Sequence, residues 1–254
     1  MYCTITPHQL LQPYIDAYWV SSSAHSGRVR ILPDTCADII INAGTTEIYT
    51  GSHARTVPLE AFVVGTMTSS SETEHAAGSL LIGIRFNAAG LKAFTGLPLQ
   101  LITDQHASLQ DIAPKWQQQL PALLSPEKNL SGKIKSLENL LLQHLPGNNI
   151  NTSRILYATS LIRNAGGSIT TAMLADKTNT GLRNFERQFL DHTGVSAKTF
   201  SRIVRFMRLE QLLRKGYTGH LLALALDMGY YDHAHLTHEF RQFAGVSPEQ
   251  FRHR

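Results

Sequence analysis

Residues 225–251 read ALDMGYYDHAHLTHEFRQFAGVSPEQF. The stretch has the order of a small helical unit: a Leu-Ala helix (Leu224-Ala225), a glycine, a second helix with apolar Leu236 and Phe240, and Gly-Val-Ser-Pro. Gly229 is able to take a left-handed turn between the two helices at low cost. Ser247 suits a helix cap and Pro248 a first helical position, where a missing N–H costs little. The same plan occurs upstream in LADKTNTGLRNFERQFLDHTGVSAKTF, residues 174–200. Gly245 follows Gly194 by 51 residues, and Phe185, Phe189 and Phe200 fall at that offset from Leu236, Phe240 and Phe251. One extra residue in the second copy brings Leu174-Ala175 onto Leu224-Ala225 and Asn179 onto Gly229 at offset 50. Asn and Gly are the residues that enter the left-handed region most readily, so both copies read as helix-turn-helix units, about 170–192 and 221–243. Two copies are too few for a solenoid, which needs about three to bury a continuous core.

Between the copies runs AKTFSRIVRFMRLEQLLRKG, with an apolar side (Phe200, Ile203, Val204, Met207, Leu212, Leu213) and a basic one (Arg202, Arg205, Arg208). As a helix from Ser196 to Arg214 it spans about 28 Å at ~1.5 Å per residue. One turn of B-DNA is about 34 Å, so such a connector suits two reading helices in successive major grooves. Charge agrees. Residues 151–254 carry 14 Lys and Arg against 8 Asp and Glu, whereas residues 1–150 carry 9 against 11; the whole chain is +4. A basic C-terminal part fits a polyanion partner.

The other expectations follow from pattern. The runs 29–33, 37–44, 46–51, 61–67 and 79–87 are β-branched or aromatic and bounded by turn residues, which predicts short strands. Helices are expected at 88–96, 108–124 and 131–145; the last places Ile134, Leu137, Leu141 and Leu145 on one stripe, for the domain core or a dimer seam. PGNNIN (146–151) reads as a linker. The expected fold class is α+β: a β-rich domain over 1–146, a small barrel-like or open sheet with flanking helices, then an all-α domain over 151–254. At 43% hydrophobic residues a packed core is expected. No apolar run reaches membrane-spanning length and no secretory leader is visible, so a cytoplasmic protein is expected, reduced at Cys3 and Cys36, with no membrane partner.

The helical part resembles the AraC/XylS family of bacterial transcription regulators. The second unit follows the family's pattern closely, and residues 174–213 follow its first-unit pattern. YWV (18–20), LPDTCADIIIN (32–42), VVGTMTSSS (63–71) and residues 82–112 resemble, more loosely, one branch of its N-terminal sensory domains. Where that branch has Pro-Asp-Gly, this chain has Pro33-Asp34-Thr35. The resemblance implies a DNA-binding regulator, with an N-terminal domain that binds an effector, dimerises, or both. Implied partners are double-stranded DNA, a small-molecule effector, RNA polymerase and a second copy; no cofactor is called for.

On this reading the DNA contacts fall on Leu182, Arg183, Asn184, Arg187 and Gln188 in unit one, all expected exposed, with Phe185 and Phe189 inward. In unit two they fall on Tyr231, His233, His235 and His238. Arg suits guanine and Asn or Gln suits adenine. His238 stands where the family commonly has a basic residue, so unit one is expected to carry more of the specificity. Asp232 reads as a helix cap, and His235 as equally suited to a structural role. Effector candidates are Trp19, Asp34, Cys36, Asp38, Phe62 and Arg85; core packing of Trp19 and an Arg85 ion pair with Asp34 or Asp38 are the alternatives. The rival readings use Asp34, Cys36 and Asp38 as a redox or metal sensor, or make the N-terminal part a small-molecule-modifying enzyme. Neither these residues nor Glu72, Glu74 and His75 match a known metal spacing. Neither cysteine has an activating cation beside it in sequence, and the Pro-Cys-His-Arg of the family's repair methyltransferases is absent.

Overall fold

The structure, a computed structural model, describes residues 1–50, 54–217 and 219–252. Strands β1 (Tyr2–Ile5), β2 (Ile15–Ser22), β4 (Ala37–Asn42), β7 (Ala61–Val64), β9 (Leu80–Phe86) and β10 (His106–Ser108) form one antiparallel sheet. Its order is β1-β2-β9-β4-β7-β10, with β1 and β10 at the edges. Two ribbons accompany it: β3 (Gly27–Ile31) with β8 (Ser71–His75), and β5 (Ile48–Thr50) with β6 (Ala54–Thr56). Each predicted run carries a strand; residue 51, the end of the run 46–51, lies outside the described residues. Strands β1, β2, β6, β8 and β10 lie outside those runs. The polar SETEH of β8 gives no apolar signal because it lies on a ribbon and pairs its charges across to β3.

Alternation sorts the sheet's two faces. Tyr18, Val20, Ile39, Ile41, Val63, Ile82, Ile84 and Phe86 are buried against helices α1 (Gly90–Thr95), α3 (Pro114–Leu123) and α4 (Leu130–Gln143). The opposite face buries a smaller set around Trp19, Ile48, Phe62 and Leu81. The expected helix 108–124 is broken into α2 (Leu109–Ile112) and α3. Pro114 starts α3, and Ala113 before it leaves helical geometry at φ −141°, ψ 69°. The stripe Ile134, Leu137, Leu141 is spent in this core, with Leu145 packed on its edge, so it is no dimer seam.

The C-terminal part is helical: α5 (Ile150–Asn164), α6 (Thr171–Lys177), α7 (Leu182–Thr193), α8 (Ala197–Arg214), α9 (Leu221–Asp227), α10 (His233–Ala244) and α11 (Pro248–Arg252). Asn179 (φ 49°) and Gly229 (φ 77°) take the left-handed turns between α6 and α7 and between α9 and α10. Ser196 accepts from the Thr199 amide and Ser247 from the Gln250 amide, the paired caps expected from the repeat. Two aromatic cores result. Phe185, Phe189 and Phe200 centre the first; Phe206, Phe240 and Phe243 centre the second. Helix α8 serves both, giving Ala197, Phe200 and Val204 to the first and Ile203, Phe206, Leu209 and Leu213 to the second.

The N-terminal part packs on both units. Ala88 and Ala89 complete the first aromatic core, and Leu32 packs on the second. The Thr66 hydroxyl donates to the Thr193 carbonyl at 2.7 Å and the Thr103 hydroxyl to that of Gly194 at 2.6 Å. Lys92 pairs with Asp191 at 3.0 Å. Arg30 donates to the Ala244 carbonyl at 3.2 Å.

Candidate nucleic-acid interface and effector site

Helix α7 starts after Gly181 and turns Phe185 and Phe189 inward. Leu182, Arg183, Asn184 and Arg187 are exposed on the other side. Arg187 donates to Asn184 Oδ1 at 2.8 Å, so the two side chains form one polar surface. Gln188 departs from the expected exposure: it is 9% exposed. It lies one turn from Phe185 and beside Phe189, within the buried stripe, and its amide donates to Asn184 Oδ1 at 3.3 Å.

Helix α10 is capped by Asp232, whose carboxylate accepts from the His235 amide at 2.7 Å. Tyr231, just before the cap, is 85% exposed. His238 is exposed and His233 half-buried. His235 is turned toward its own helix start: its Nδ1 accepts from the Tyr231 amide at 3.2 Å, and its ring meets Tyr230 edge-on at 5.5 Å. Of the nine residues expected to meet DNA, the structure presents Leu182, Arg183, Asn184, Arg187, Tyr231 and His238 openly, half-buries His233 and His235, and buries Gln188.

The effector candidates Trp19, Asp34, Cys36, Asp38 and Arg85 come together, and Phe62 lies in the same small core as Trp19. Trp19 stands opposite Gly83 across the β2–β9 pair, where a methyl group would lie 1.9 Å from the indole Cε2; only glycine leaves room for the ring. The indole N–H donates to Asp38 Oδ1 at 2.7 Å. Arg85 pairs with Asp38 at 3.3 Å and with Asp34 at 3.5 Å. Asp34 and Cys36 are not on a strand with Asp38, as equal spacing suggests. They precede β4 in a turn closed by the Cys36 amide on Asp34 Oδ1 at 2.9 Å. Burial pushes the Asp34 carboxyl up to about 6, with Arg85 opposing and Asp38 adding to the rise. Burial raises Asp38 as well, against Arg85 and the indole N–H. Cys36 is buried and its thiol is pushed well up, first by burial and then by Asp34, the reverse of an activated thiolate.

Among the described residues, no three His, Cys, Asp or Glu side chains gather as a metal site. Glu72 and Glu74 instead pair across the ribbon with Arg30 and Arg28, at 2.8 and 2.7 Å. No helix of the described residues is long and apolar enough to cross a membrane.

Sequence reasoning missed the residues that join the two parts. Arg163 of α5 donates to the Thr35 hydroxyl at 2.7 Å and to Asn87 Oδ1 at 3.4 Å, so it holds the turn that carries Asp34. Thr66, Thr103 and Lys92 do the same for the end of α7. Their signal was slight: single hydroxyls and one lysine in loops and short helices.

Two family models match the chain. One, described as a domain of unknown function (DUF6597), covers residues 3–108; the other, described as a helix-turn-helix domain, covers 174–254. An uncharacterized HTH-type transcriptional regulator of Haemophilus influenzae is 34% identical over 79 residues, 31% of this chain. The match spans 26% of that relative's own length. Among solved structures, unsaturated fatty acid bound ToxT of Vibrio cholerae is similar over 92% of this chain and 93% of its own, at 12% identity and TM-score 0.45. The C-terminal domain of AraT, a response regulator of Geobacillus stearothermophilus, is similar over 42% of this chain and 85% of its own, at 20% identity and TM-score 0.36.

Proposed function

From the premise that the chain belongs to the AraC/XylS family of transcriptional regulators, we propose that it binds specific DNA with α7 and α10 in successive major grooves. The observation that carries this reading is the pair of helix-turn-helix units sharing one linker helix. Each unit leaves the outer face of its second helix open near the start: Leu182, Arg183, Asn184 and Arg187 on α7, Tyr231 and His238 beside or on α10. Eighteen residues of α8 make a spacer of about 27 Å at ~1.5 Å per residue, of the same order as one DNA turn of about 34 Å.

Arg183, Asn184 and Arg187 supply two guanidinium groups and an amide suited to base edges, whereas unit two offers mainly imidazoles. Unit one therefore carries more of the specificity. The test uses duplexes that the full chain selects from a random-sequence pool, read by footprinting with separate Arg183→Ala and His235→Ala variants. Arg183→Ala loses more of the sequence discrimination. A larger loss from His235→Ala overturns the ranking, and a pool with no enriched sequence overturns specific DNA binding.

The N-terminal domain, residues 1–146, acts in this reading as the sensory part, and 151–254 as the DNA-binding part. A small polar or anionic effector would act at the Trp19, Asp34, Asp38 and Arg85 cluster. What supports this is the cluster's place against the turn that Arg163 holds from the DNA-binding side. Mass spectrometry of small molecules released from the purified full chain and from Arg85→Ala checks it. A ligand carried equally by both proteins sinks this placement.

A further inference from the structure

We propose that Glu239 is a positioning residue for DNA recognition by the second unit, tying the linker helix to the reading end of α10 through His235. The proposal rests on the reading of α10 as a DNA-contacting helix. Glu239 is 4% exposed, a carboxylate in the buried side of a recognition helix. Buried carboxylates are rare unless paired, and this one has three basic neighbours. Arg202 of α8 donates Nε to Oε1 at 2.5 Å. Arg205, one turn on, brings its guanidinium to 3.8 Å from Oε2. His235, one turn back on α10, has Nε2 at 3.5 Å from Oε1.

The His235 contact gives the cluster a direction. Nδ1 accepts from the Tyr231 amide, so in the neutral ring the hydrogen sits on Nε2, the atom that faces Glu239. A carboxylate there favours that tautomer and holds the ring's orientation. The imidazole in turn fixes the backbone of Tyr231, whose side chain is 85% exposed just before the reading helix. From the other side, Arg205 donates to the Gly229 carbonyl at 3.1 Å and lies over the Tyr230 ring at 5.2 Å, so the linker helix also holds the turn. Arg202 reaches on to Gln242 at 2.6 Å and lies over Phe243 at 5.3 Å. One buried carboxylate thus joins the linker helix, the turn and the helix start.

The internal repeat supplies the comparison. At the offset of 51 residues Glu239 corresponds to Gln188, also buried but neutral, which bonds Asn184 within its own helix. Unit one has an amide where unit two has a charge. Glu239→Gln therefore keeps the shape, removes the charge, and gives unit two the residue that unit one uses.

The experiment compares Glu239→Gln with wild-type full chain on duplexes selected by the wild type from a random pool. The expected result is about a tenfold loss of affinity, the scale of one good base contact, with protection lost at the second half-site and kept at the first. The melting temperature stays near wild type, and nitrogen-15 spectra show His235 leaving its Nε2–H tautomer. His235→Gln tests the same link without touching the buried carboxylate, and gives the same half-site loss. Tyr231→Ala separates the proposal from its premise. Loss of second-site protection with Tyr231→Ala, but wild-type protection with Glu239→Gln, overturns the Glu239 link alone. No effect of Tyr231→Ala overturns the reading of α10 and the link with it. Equal losses at both half-sites with a lowered melting temperature assign Glu239 a folding role and overturn the proposal.

Discussion

Asp34 shows how little a residue's spacing says about its company. The alternation Asp34, Cys36, Asp38 suggests one strand face. The chain turns there instead, and the two carboxylates meet only because Arg85 of β9 stands between them. Desolvation raises Asp34 to about 6, and Asp38 is raised too, above the unfolded value of about 3.9. The native state therefore holds these protons more tightly than the unfolded chain. The resulting stability is full below about pH 4 and fades as pH rises through 6. Denaturant titrations from pH 4 to 7 check the sign: Asp34→Asn has a flatter decline than wild type over that range. An unchanged slope would rule out Asp34 as its source. Gln188 teaches a similar lesson. Its amide suits adenine, but one helical turn from Phe185 it joins the buried stripe.

At the scale of elements, helices were legible where periodicity and punctuation agreed. Asn179 and Gly229 marked the turns, Ser196 and Ser247 the caps, and the aromatic repeat the inward faces; each has a local physical cause. The sheet was legible only in its apolar strands. β8 is polar because the ribbon it forms pairs Glu72 and Glu74 with Arg30 and Arg28. The site was half legible: Arg183 and Arg187 follow from their own helix, whereas the partners of Glu239 and Thr66 come from elsewhere in the fold. Helix α8 is the element on which most depends, since both aromatic cores draw on it. Phe206, fully buried between Phe240 and Phe243, has ring centroids at 5.1 and 5.3 Å. Phe206→Ala is expected to cost about 3–5 kcal/mol. Hydrogen exchange should report the loss first in α9 to α11, because α6 and α7 lean on a different core. Uniform acceleration across both units would show that the two cores unfold together.

For the whole molecule, residues 151–254 do not enclose their own core. Ala88 and Ala89 close the first one, and Thr66, Thr103 and Lys92 hold the end of α7. The fragment 151–254 is therefore expected to melt below the full chain, with protection lost chiefly in α5 to α7. A fragment as stable as the full chain, measured by calorimetry, contradicts that dependence.

The N-terminal domain touches the two units at matching places. Thr193 and Gly194 end α7; Ala244 and Gly245, 51 residues on, end α10. Hydroxyls of Thr66 and Thr103 hold one end and Arg30 holds the other, each at a helix C-terminus and so away from the helix starts proposed to face DNA. A body fixed at both points works as a pair of callipers: it sets the span between the tips. One base pair added between half-sites moves them about 3.4 Å apart and turns them by about 34°. The full chain should thus reject the lengthened site more sharply than the fragment 151–254, whose linker helix alone sets the gap. Competition between the two duplexes, run with each protein, measures how finely the jaws are set.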